Sequence, residues 1–235
     1  MSEESFSVHE NMPDTHDREI PFEFERKFYV RSLPSQARED ASQSIIVQAY
    51  VFAEAGYAVR VRMVFHGLEP EFPKFHEATD YMGAYERRVL QTLIAQAENS
   101  EGDEDKTVTA TIAVKSPPVS GERYELENEL DRDVAAQIIY RSSRIVLKTR
   151  YSLWYGEDGW EFDVFGGQNA GLIVAECERI SPVVNLTVPK FCITEVTGDL
   201  RFTNDFLSKE PWSQWQDQFR AELEARGPFF LDLKS

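Results

Sequence analysis

Hydrophobic and polar residues alternate along most of the chain with the period of a strand. Pro21–Val30 (PFEFERKFYV) sets Phe22, Phe24, Arg26, Phe28 and Val30 on one face and Glu23, Glu25, Lys27 and Tyr29 on the other. Residues 44–52 (SIIVQAYVF) and 57–65 (YAVRVRMVF) are β-branched and aromatic and flank a Glu-Ala-Gly turn, which predicts a hairpin. Strands are also predicted over 107–116 (TVTATIAVKS) and from Glu122 (ERYELENEL). RIVLKTRYSLWY and GWEFDVFGG make a second hairpin around residues 156–159, and GLIVAECERI ends the series. A short helix is expected over 132–143. Two longer helices stand apart. Ala84–Glu98 rows Tyr85, Val89 and Leu93, and 211–226 rows Trp212, Trp215, Phe219 and Leu223, with Pro211 in its first turn and Gly227 as its stop.

The expected fold is α+β, mainly β: an eight-stranded antiparallel β tunnel or barrel flanked by several helices. Residues 1–20 are polar and aperiodic and read as a disordered leader. Residues 21–235 read as a single domain, interrupted by an insertion at about 67–106 that carries the Ala84–Glu98 helix. That insertion could cover the tunnel mouth, form a dimer contact or simply pack. Both long helices are expected outside the barrel.

Charge then adds to the picture. Residues two apart share a face. In phase with Glu23, Glu25 and Lys27 come Arg60 and Arg62, then Lys115 with small Thr111 and Ala113. Arg123, Glu125, Glu127 and Glu129 follow, then Lys148 and Arg150, Glu161 and Asp163, and Glu176 and Glu178. The opposite faces are apolar (Val59, Val61, Met63; Trp160, Phe162, Val164; Ile173, Ala175, Cys177). A charged face is ordinarily a wet outer face, and an apolar lumen with charges outside is one solution. The other is a charged lumen. Basic residues gather on the third, fourth and sixth strands, and acidic i, i+2 pairs on the first, fifth, seventh and eighth. Carboxylate pairs suit a hard divalent cation, Arg and Lys suit phosphoryl oxygens, and an eight-stranded barrel holds one small ligand.

The net charge of −16 argues against nucleic acid and anionic membrane as partners. No apolar run approaches a membrane span. Two cysteines make no disulfide framework, and the N-terminus lacks the features of a signal peptide, so a cytoplasmic location is expected. His9, His16, His66 and His76 lack zinc spacing, and no P-loop or dinucleotide fingerprint occurs.

Glu23-Phe-Glu25-Arg-Lys27 resembles the ExExK signature of the CYTH family, the triphosphate tunnel metalloenzymes. QAYVF, VRVR, TIAVKS, RYELENEL, LKTRYSLWYGEDGWEFDVFGG, GLIVAECE and EVTGDLRFTNDFL follow in the family's order, so the resemblance spans roughly residues 20–210. It implies that Glu23, Glu25 and Glu178 ligate one metal, Mg²⁺ or Mn²⁺. Asp163 and Glu176 would ligate a second, or its waters. Lys27, Arg60, Arg62, Lys115, Arg123, Lys148 and Arg150 would clamp the triphosphate, with Glu125, Glu127 and Glu161 as an acidic wall. Lys190 and Arg201 would add phosphate contacts. The resemblance pairs Tyr50 with Lys148 as a dyad that activates the attacking water; plain tunnel packing is the alternative for Tyr50. The implied activity is metal-dependent hydrolysis of a small-molecule triphosphate, inorganic tripolyphosphate first, by a monomer or homodimer. The rivals are thiamine triphosphate hydrolysis, adenylyl cyclase chemistry on ATP, and polyphosphate or nucleotide binding without catalysis.

Overall fold

A computed structural model describes residues 24–39, 41–81, 83–100, 102–117, 124–179 and 186–232. The expected leader lies outside them. The strands are β1 (Phe24–Val30), β2 (Ser42–Glu54), β3 (Tyr57–His66), β4 (Val108–Lys115), β5 (Glu125–Glu129), β6 (Ile145–Tyr155), β7 (Asp158–Phe165), β8 (Ile173–Arg179) and β9 (Cys192–Glu195). They form one antiparallel sheet in the order β5-β4-β3-β2-β6-β7-β8-β1-β9. The mainly β, antiparallel architecture is the one expected, and it differs in two details. Among the described residues there are nine strands, and no ladder joins the edges β5 and β9, so the sheet as described curves without closing. β9 is short, and the tail beyond the last helix flanks it: Glu195 donates its backbone N–H to the Phe229 carbonyl at 2.8 Å.

The apolar faces point outward, because helices and loops are there to cover them. Ile45, Val47, Val61, Met63, Ile145 and Leu147 pack against Tyr85, Val89, Leu90 and Leu93 of α2 (Ala84–Glu98), and against Ala135, Ala136 and Ile139 of α3 (Arg132–Arg141). The insertion helix α2 thus serves as outer packing. Phe28, Trp160, Phe162 and Cys177 form a second outer layer, closed by Ala37 of α1 (Ser35–Glu39) and Phe191. Where α2 meets the end of β7, Gly167 adopts φ +60°, and a Cβ there would sit 2.1 Å from Glu86 Oε1, so only glycine fits.

The C-terminal segment does something else. Trp212–Gln214 is a 3-10 turn, and only Gln216–Arg226 (α5) is α-helical. Its aromatics, with Phe202 and with Leu207 of α4 (Asn204–Leu207), pack on Tyr29, Val146, Phe165 and Val174. Tyr29 lies 5.1 Å from Phe219 and 6.0 Å from Trp212, ring centre to ring centre. These sheet residues share the face of Lys27, Lys148, Asp163 and Glu176. The C-terminal helix therefore plugs one end of the inner face rather than covering the outside. Among the described residues no helix is long and apolar enough to cross a membrane.

Candidate active site

Beyond the aromatic plug the inner face is charged, and the ladder registers fix the arrangement. Glu25 sits opposite Glu178, Lys27 opposite Glu176, Glu161 opposite Glu176 and Asp163 opposite Arg150. Across β2, Arg62 faces Gln48 and Arg60 faces Tyr50, while small Thr111 and Ala113 on β4 leave room above them. Curvature brings the two halves within reach of each other. Lys27 and Tyr50 lie four places apart in the sheet order, about 19 Å if flat, yet the Lys27 charge acts on the Tyr50 phenol.

Arg150 is the hub of the β6–β8 half. It donates from Nε to Asp163 Oδ1 at 2.7 Å and from Nη2 to Asp163 Oδ2 at 2.8 Å and Glu176 Oε2 at 3.0 Å, and its Nη1 meets Glu161. Lys148 Nζ lies against Asp163 Oδ2, and both side chains are out of solvent. Burial, then the neighbouring Arg150, brings the Lys148 ammonium down to about 8 despite Asp163. Burial would raise Asp163, but Lys148 and Arg150 outweigh it and hold its carboxyl low. Lys27 Nζ bridges Glu176 at 2.9 Å and Glu25 at 3.1 Å. Burial opposes its charge, yet those two carboxylates keep the ammonium above its ordinary value.

Glu161 and Glu178 behave differently. Burial first pushes both up; at Glu161 the paired Arg150 partly offsets this while Asp163 and Glu176 add to it, and at Glu178 the carboxylates of Glu161, Glu25 and Glu176 add to it. These are oxygen donors in mutual repulsion, and hard divalent ions fit that donor chemistry. Among the described residues no three carboxylates already converge closely enough to hold an ion. Glu23 lies outside the described residues, as does Arg123.

On the β2–β5 half the cations Arg60, Arg62 and Lys115 lie on the inner strands, and carboxylates reach them only from the edge strand β5. Arg60 is buried; its Nη2 meets Glu127 at 2.5 Å and Glu125 at 3.3 Å, and Lys115 Nζ pairs with Glu125. Arg60 Nε and Thr111 Oγ1 are buried with no partner among the described residues. Burial, then Arg60 and Arg150, lowers Arg62 to about 10. Unsatisfied donors and crowded guanidiniums are what an anion would relieve.

Most of the residues expected at the site therefore lie on one face. The exceptions are specific. The structure does not form a Tyr50–Lys148 dyad: Lys148 stands opposite Ile46, about 13 Å along β2 from Tyr50, and points at Asp163. Arg201 is bound to Asp199 at 2.7 Å and Glu222 at 2.9 Å and stacks on Trp215, so it braces the plug. Lys190 is exposed and outside this cluster. One inner-face residue is uncharged and so falls outside the charge pattern of the sequence. Gln48 is fully buried between Arg62 and Tyr50, and its phase with Tyr50 was the available signal.

No family model matches the chain. The chain is 32% identical over 124 residues to the inorganic triphosphatase of Acetivibrio thermocellus, a match covering 49% of this chain and 80% of that protein. Among solved structures, the inorganic triphosphatase NE1496 aligns at 21% identity over 79% of this chain and 93% of its own, with a TM-score of 0.46. HpAC1 from Hippeastrum aligns at 13% identity over 68% of this chain and 80% of its own, with a TM-score of 0.37. The chain belongs to the CYTH family of triphosphate tunnel proteins.

Proposed function

We propose that the protein hydrolyses a triphosphate with the aid of a divalent metal, Mg²⁺ or Mn²⁺, and that inorganic tripolyphosphate is its first substrate. The observation that carries this reading is the division of one continuous face into an anion-seeking half and a cation-seeking half. The similarity to the A. thermocellus triphosphatase supports it. Glu25, Glu161 and Glu178, with Glu23, are the residues that would hold the metal, which when bound offsets charge on phosphoryl oxygens. Arg60, Arg62, Lys115 and Lys27 grip the chain of phosphates from the walls. Arg150 and Lys148 sit between the halves, where the transferring phosphoryl group would lie. Lys148, at about 8, is the cation here that gives up its proton nearest neutral pH, and it suits a proton acceptor for the attacking water.

The test is phosphate release from tripolyphosphate, thiamine triphosphate and ATP with Mg²⁺, Mn²⁺ or EDTA, alongside detection of cyclic AMP. The expected result is metal-dependent release, fastest with tripolyphosphate and abolished by EDTA. Faster release from thiamine triphosphate, or cyclic AMP formation from ATP, would move the substrate assignment. Tight triphosphate binding with no turnover of any substrate would sink the enzymatic reading.

A further inference from the structure

Gln48 is a neutral amide buried on the floor of the basic half. It lies opposite Arg62 on β3 and Val146 on β6. Its Oε1 accepts from Arg62 Nε at 3.4 Å, and its Nε2 donates to Tyr50 Oη at 3.4 Å. The direction of this chain is dictated by chemistry. A guanidinium offers donors only, so the amide must turn its oxygen to Arg62. The NH₂ group then faces Tyr50, and the phenol oxygen is the acceptor. The single phenol proton must point elsewhere, and no bond from Tyr50 Oη to an acceptor is found among the described residues. The ring itself is held: Arg144 lies 5.7 Å over it, and Ala53 and Ala58 pack beside it. The β2–β3 register shifts between Tyr50 and Phe52, a bulge of the kind that re-aims a side chain. Burial also raises the phenol above its ordinary value, so it keeps its proton at neutral pH.

We propose that Gln48 is a positioning residue that sets the Tyr50 phenol as a hydrogen-bond donor to a phosphoryl oxygen of the bound triphosphate. This rests on the triphosphate reading above and gives Tyr50 a task separate from Lys148. The phenol lends a hydrogen bond to developing charge and neither takes nor passes on the water's proton.

Gln48→Glu tests the direction of the chain. The new carboxylate is isosteric and still accepts from Arg62. It can only accept from Tyr50, so the phenol proton turns away from the substrate. Expected kcat falls about tenfold or more, as it does in Tyr50→Phe. The double variant should fall no further than Tyr50→Phe alone, within about twofold, because Gln48 acts through the phenol. The low-pH limb of the rate profile should not move in Tyr50→Phe, since the phenol takes no proton from the water. Wild-type kcat in Gln48→Glu, independent losses that multiply, or a shifted limb would each overturn the proposal.

A second arm titrates a non-hydrolysable imido-triphosphate against Gln48→Met, Tyr50→Phe and their double variant, which add no charge. Coupled losses of affinity support the proposal and additive ones refute it. This arm works even if wild-type protein releases no phosphate, so failure of the hydrolysis reading and failure of the Gln48 assignment remain distinguishable.

Discussion

On β7, β8 and β1 the inner face carries Glu161, Asp163, Glu176, Glu178 and Glu25 against the cations Lys27, Lys148 and Arg150. On β2, β3 and β4 it carries Arg60, Arg62 and Lys115, with carboxylates arriving only from the edge strand β5. Both halves are crowded with like charge, and the response differs in sign. Glu161 and Glu178 are pushed up in the first, while Arg62 is pushed down in the second. Burial is the first cause of each shift, and like-charged neighbours add to it. Ion pairs cross both walls, yet the first keeps more carboxylates than cations and the second leaves Arg60 Nε without an acceptor among the described residues, the imbalance on which the metal–polyphosphate proposal rests. Between the walls, Lys148, Asp163 and Arg150 are fully paired and have a structural duty as well.

The largest effect should therefore come from the middle. Arg150→Met leaves the buried Asp163 with Lys148 alone and strips Glu176 and Glu161 of a partner. Breaking a buried ion network from one side costs about 3–5 kcal/mol, so urea unfolding should show a loss of that size together with lost turnover. A loss under about 1 kcal/mol would mean that the network is not the hinge between the walls.

Next comes the basic wall. Arg62→Gln should weaken tripolyphosphate binding about tenfold to a hundredfold, the worth of one charge-assisted hydrogen bond at about 1.5–3 kcal/mol. Stability should hold or rise, because the lost charge was crowded by Arg60 and Arg150. Calorimetric titration and thermal melting read the two quantities separately. A variant that melts earlier but binds normally would make Arg62 a structural residue.

Much of this division was legible in the sequence because strand parity is rigid. Once Lys148 and Arg150 are in phase, Ile145 and Leu147 must face the other way, and the helices must follow them. The insertion helix was placed to the residue, since Tyr85, Val89 and Leu93 mark its buried side. What escaped depends on contacts far apart in the chain. The alternation of CITE over four residues is too short to declare a strand, and β9 is held by the buried pair of Arg26 with Glu195, 169 positions away. The stripe Trp212–Phe219 announced an amphipathic segment but not which face of the sheet it seals. Tyr29 decides that, and its parity with Lys27 carries meaning only once the plug is seen. Tyr50 and Lys148 share a face yet stand apart along it, which no pattern of spacing within either strand reveals.

The smallest effect, and the sharpest test of the acidic wall, is Glu178→Gln. Surrounding protein partly desolvates the Glu178 carboxyl, but the side chain remains exposed, so solvent screens its repulsions and the gain in metal-free stability should be at most about 0.5 kcal/mol. The sign follows from the raised carboxyl. Its contribution to folding is fully present below the unfolded value of 4.5 and is lost as pH rises through the folded value. In EDTA at pH 7 the variant should therefore melt slightly above wild type, and the gap should close as pH falls toward 4.5. Glu176 and Asp163, whose carboxyls are held low, contribute in the opposite direction, so the difference between the two proteins is the quantity to follow. Adding Mn²⁺ or Mg²⁺ should reverse the order, because a ligand that binds only the folded state stabilises the protein able to hold it. A gap that ignores pH would show that the neighbours do not disfavour this carboxylate's charge, and one that ignores metal would show that the wall does not hold the ion.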